Sequence, residues 1–177
     1  MDVRLFALLA ALALASCAPR APARATPAVQ RLTEGARFTV VEFFSVSCGC
    51  QKGHDASLIA MMGEYGPRGV RFVVLDAEAG RTQSEDDDET RRRAYPIAIR
   101  RDDRGEIARA LGAEFATYAV ILDGDGRVRY AGGIDSSHTE PGPDTRPWLR
   151  DALDALLAGR EPPMREERAL GCVLHLP

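Results

Sequence analysis

The sequence predicts an α/β fold, a central mixed β-sheet with helices on both faces. Three observations carry this. Residues 37–44 and 69–76 are short, nearly continuous apolar runs, the pattern of strands covered on both faces. Between them, residues 55–65 repeat apolar positions with a helical period. Further on, residues 118–122 and 128–131 flank Asp123-Gly124-Asp125-Gly126, whose Asp-Gly pairs mark a tight hairpin. Two parallel strands joined by a helix, followed by an antiparallel hairpin, make a mixed sheet. The 177 residues suffice for one domain, and no repeat or second boundary interrupts them.

The elements follow in order. Arg-Phe-Thr-Val-Val-Glu-Phe-Phe, residues 37–44, is the first core strand. A turn with two cysteines, Ser47-Cys48-Gly49-Cys50, leads into the helix, where Leu58, Ile59, Met61, Met62 and Tyr65 recur until Gly66-Pro67 ends it. Residues 77–93 break the pattern: the acidic run 85–89 and Arg91-Arg92-Arg93 offset each other in a solvated loop that leads into a short helix. Residues 95–99 are expected to be extended, and residues 106–111 helical up to Gly112. After the hairpin, Trp148, Leu149, Ala152, Leu153, Leu156 and Leu157 stripe one face of a helix that Gly159 closes. The remaining tail contains Gly171-Cys172. His138 is expected in a surface loop.

Composition narrows the function. With 23 basic and 26 acidic residues the net charge is −3. A nucleic-acid binder needs a basic surplus, so that class is set aside. The one lysine, Lys52, stands two residues after Cys50.

The N-terminal segment reads as an address. Residues 5–15 form an apolar run of 11 behind Arg4, too short for a permanent span, which takes about 20 residues. It ends in Leu14-Ala15-Ser16-Cys17, which resembles the bacterial lipoprotein box. The resemblance implies a signal peptide over residues 1–16, lipidation of Cys17, and anchoring in the bacterial cell envelope facing the periplasm. Ala18 points to the outer membrane. Residues 17–35 are read as the lipidated cysteine and a Pro/Ala-rich tether, and residues 36–177 as the folded domain with its cysteine-containing tail. An oxidising compartment exposes the three cysteines left over to disulfide chemistry.

Phe43-Phe44-Ser45-Val46-Ser47-Cys48-Gly49, the stretch from Gly112 to Gly126, and Tyr130-Ala131-Gly132-Gly133-Ile134-Asp135 together resemble the thioredoxin-like superfamily. Cys48, Cys50, His54, Gly171 and Cys172 resemble an extracytoplasmic redoxin branch with a Cys-x-Cys-x-x-x-His site and a Gly-Cys tail. The resemblance implies thiol–disulfide exchange with protein thiols or disulfides of the periplasm, with no cofactor required. Three departures stand out. The second cysteine comes one residue early, leaving Gln51 at the family's resolving position. Ser47 replaces the tryptophan before the first cysteine. Tyr118 occupies the place of the family's cis-proline, and its presence is expected to leave open space beside the thiols.

Cys48, at a strand-to-helix turn, is the candidate attacking thiol, because a helix N-terminus favours the thiolate and Lys52 adds positive charge nearby. Cys50 and Cys172 are the candidate resolving thiols, and three thiols leave three pairings open. A second reading takes Cys48, Cys50 and His54 as ligands of a metal, copper(I) first, since thiolates and imidazole suit copper(I) or zinc. A third is a redox-inactive interaction domain. Peroxide reduction is disfavoured: Ser45 stands three before Cys48, but Val41 holds the place where that chemistry has proline.

Overall fold

The computed structural model describes residues 25–164 and 169–177. The signal-peptide and lipidation expectations, Cys17 included, fall outside those residues. No described helix is long and apolar enough to cross a membrane.

The first described element corrects a boundary. α1, Pro27–Thr33, forms where the tether was expected to continue. Thr26 caps it by accepting from the Val29 N–H at 3.3 Å, and Pro27 sits in the first turn, where its missing N–H costs nothing. Val29 is buried against the sheet, so the folded unit includes α1 and is not bounded at residue 36.

β1 (Phe38–Phe44), β2 (Val70–Asp76), β3 (Ile99–Arg101), β4 (Tyr118–Asp123) and β5 (Val128–Gly133) form one sheet in the order β3-β2-β1-β4-β5. β1 and β2 pair in parallel, as do β2 and β3; β4 runs antiparallel to both β1 and β5. The expected mixed sheet is thus present, with β1 at its centre and all seven of its residues buried. The strand alternation divides the core. Val40 and Phe44 face α2 (Gly49–Tyr65) and α5 (Trp148–Leu157), while Val41 and Phe43 face α1 and α4 (Glu106–Leu111).

α3, Gln83–Arg92, is a full helix where a loop was expected to dominate. Thr82 and Glu85 form a reciprocal capping box. The expected extended stretch 95–99 is displaced to β3, because Tyr95 turns inward beneath α2 instead of pairing. Its hydroxyl donates to Asp55 at 2.7 Å, and Arg93 reaches the same carboxylate at 2.8 Å. α2 begins at Gly49, with Cys48 as its N-cap residue.

Candidate active site

The tail completes the site. Residues 169–177 return to the loop between α4 and β4. Cys172 accepts from the Ala116 N–H at 2.8 Å, Leu174 donates to the Glu114 carbonyl at 2.9 Å, and Phe115 bridges antiparallel to Val173. Gly171 is required here: a Cβ at that position would stand 1.8 Å from the Ala116 carbonyl oxygen. The segment the tail covers ends at Thr117, which holds a left-handed φ of 63° and leads directly into Tyr118. The open space expected beside the thiols is therefore filled by the tail, and Cys48 is 1% exposed.

The sulfur atoms of Cys48, Cys50 and Cys172 all lie within 4.8 Å of one another, and no disulfide joins them. Their environments differ. Burial pushes the Cys48 thiol up. The Cys172 N–H at 3.4 Å, the Cys172 thiol, and the N–H groups of Gln51 and Cys50 outweigh it and hold Cys48 below the ordinary thiol value. For Cys50, burial and the Cys48 charge act together and raise its pKa. Cys172, exposed, is pushed up to about 11, first by donating to Cys48 and then by burial. The cluster thus favours one thiolate, on Cys48, with its neighbours protonated and donating.

Lys52 is exposed on the first turn of α2. The groups that support the Cys48 anion are hydrogen-bond donors, chiefly from the tail, rather than this lysine. Tyr118 is half-buried, with its ring 6.3 Å from Phe43 and its hydroxyl donating to the Leu111 carbonyl at 3.4 Å, so it shapes the floor on the α4 side.

His54 is not where the copper reading needs it. It is 2% exposed, its Nδ1 stands 3.5 Å from Asp135, and its ring nitrogens are not part of the sulfur cluster. Position i+4 from Cys50 turns it beneath the hairpin end instead. Cys172 joins the two turn cysteines in its place. The histidine that does approach is His138, whose Nε2 lies 3.7 Å from Cys50 Sγ. Gly53 makes room for its loop, since a Cβ there would stand 2.6 Å from the Thr139 carbonyl oxygen. This contact joins residues 88 apart, so no local pattern announces it.

Glu42 is the second residue the sequence reading passed over. It lies on β1, six residues before Cys48, and is 1% exposed. Burial raises its pKa from 4.5 to about 8; the Gln51 side chain opposes this only partly, and Asp55 and Cys48 add to it. Neither carboxyl oxygen has a full hydrogen-bond partner among the described residues. Above it, Gln51 donates to the Tyr95 hydroxyl at 3.4 Å, which in turn donates to Asp55. A legible signal existed: a carboxylate inside Val-Val-Glu-Phe-Phe, in a strand with both faces buried, is a costly residue to place there.

No family model matches the chain, and no curated protein matches it. Solved structures do. An uncharacterised conserved protein from Geobacillus kaustophilus is 28% identical, with 82% of this chain and 80% of that one covered and a TM-score of 0.74. A hypothetical protein from Sinorhizobium meliloti is 22% identical over 82% of each chain, with a TM-score of 0.72. A thioredoxin-like protein solved in its oxidised form is 17% identical, covering 75% of this chain and 85% of its own, with a TM-score of 0.55. The chain has the thioredoxin-like fold.

Proposed function

We propose that this thioredoxin-like chain is a thiol:disulfide oxidoreductase that exchanges disulfides with protein partners. The observation that carries the reading is the cluster of three unpaired sulfurs at the start of α2, one held as the better anion and two as the better proton donors. A thiolate is the nucleophile in disulfide exchange, and a low thiol pKa keeps it available near neutral pH.

On this reading the tail lifts, and the Cys48 thiolate attacks one sulfur of a partner disulfide. The partner's other sulfur leaves as a thiolate and takes up a proton. The tail returns, and Cys172, after losing its proton, attacks the Cys48 sulfur and releases the second partner thiol. The chain is left with a Cys48–Cys172 disulfide, the partner with two thiols; two electrons have moved to the partner. Cys50 is the competing resolving thiol, but a Cys48–Cys50 ring of so few atoms is strained and easily reopened. Glu42, protonated near neutral pH, spares the Cys48 anion a buried like charge.

We place the protein at the bacterial cell envelope, tethered through Cys17 and facing the periplasm. This rests on the apolar run and the Leu-Ala-Ser-Cys motif. Reduction of a peptide disulfide by the prereduced chain tests the catalytic reading. Cys48→Ser is expected to abolish turnover; turnover unchanged by that substitution contradicts it.

A further inference from the structure

We propose that Cys48, Cys50 and Cys172, with His138 as the fourth ligand, form a site for zinc(II). The inference rests on the geometry of the cluster and does not depend on disulfide exchange. Zinc takes four ligands in a tetrahedron, with bonds of about 2.3 Å to sulfur and about 2.0 Å to imidazole nitrogen. Those bond lengths put two sulfurs about 3.8 Å apart, and a sulfur and a nitrogen about 3.5 Å apart. The three sulfurs here are already within 4.8 Å of one another, and His138 Nε2 is 3.7 Å from Cys50 Sγ. Contraction by about an ångström would bring the three sulfurs to bonding positions, while His138, beside Cys50 but not within 4.8 Å of all three sulfurs, would swing in on its exposed loop to complete the shell.

The setting suits an ion as well as the distances do. The ligands come from three separated segments: the α2 turn, the loop after β5 and the C-terminal tail. Loop and tail are exposed at His138 and Cys172, so both can move while the buried turn stays fixed. Two close packings already seat them, Thr139 against Gly53 and Gly171 against Ala116. Three thiolates with one imidazole form the Cys₃His set of closed zinc sites. Thiolates bound to zinc cannot at the same time form a disulfide, so the metal-bound and oxidised chains are exclusive states.

The test uses the full chain, reduced and without oxygen, titrated with zinc(II), and with cobalt(II) as a spectroscopic probe. The reduced chain is expected to take up one zinc, and the chain oxidised beforehand none. Cys172→Ser is expected to weaken binding by more than the roughly 10–100-fold typical of losing an outer partner. His138→Ala, a change at an exposed loop residue, is expected to alter the cobalt ligand-field bands and weaken zinc. His175→Ala, in the same tail but outside the cluster, is expected to change neither. Absence of stoichiometric zinc, retention of copper(I) alone, or a cobalt spectrum indifferent to His138→Ala would each overturn the assignment.

Discussion

Replacing Glu42 by glutamine isolates the consequence of burying a carboxyl beneath the thiol turn. The sign follows from the two pKa values. The folded state raises Glu42 from 4.5 to about 8, so between those values the folded chain holds a proton that the unfolded chain has released. Stability from this group is fully present below pH 4.5, falls as pH rises, and levels off above about pH 8. At 1.36 kcal/mol per pKa unit, the loss between pH 5 and pH 8 is about 3–4 kcal/mol. Glutamine keeps the shape and has no proton to lose. Glu42→Gln and the parent are therefore expected to differ by no more than about 1 kcal/mol near pH 5, and the variant to be the more stable by about 3 kcal/mol near pH 8. Urea unfolding of both reduced proteins across that range measures the difference directly, and other titrations, including that of Cys48, largely cancel in the comparison. A stability difference that does not change with pH would refute the reasoning.

Other outcomes follow from the same contacts. Gly171→Ala forces a methyl group against the Ala116 carbonyl, at a cost of about 1–3 kcal/mol. The tail should detach more often and Cys48 should alkylate about tenfold faster or more, read by timed iodoacetamide labelling. Cys172→Ala removes the thiol that donates to Cys48, so the pH midpoint of Cys48 alkylation should move up towards the ordinary thiol value. Tyr95→Phe deletes the donor to buried Asp55 and should cost about 1–3 kcal/mol in urea unfolding.

The parts of the fold that could be read from the sequence were those fixed by local pattern. The unbroken apolar run of β1, the Asp-Gly hairpin and the stripe of α5 need only their own residues to declare themselves. α1 escaped because seven residues give barely two turns of periodicity, although Thr26-Pro27 is a helix-start signal. β3 escaped because three residues on a sheet edge are specified by their neighbour β2 rather than by their own composition. At the site, Cys48 and Cys50 declared themselves by their spacing. His138 and the docked tail are products of long-range closure: the loop sits where Gly53 admits it, and the tail where Gly171 fits. His54 illustrates the converse. Its i+4 spacing from Cys50 suggested a shared ligand, but the helix turns it towards Asp135.

The central claim is that Cys48 opens the reaction and Cys172 closes it. Mass mapping of the chain after reaction with a peptide disulfide tests it most directly. The account predicts a Cys48–Cys172 crosslink in the parent protein, and a peptide adduct held on Cys48 when Cys50 and Cys172 are both replaced by serine. An adduct on Cys172 in the parent, with Cys48 still a free thiol, would contradict it.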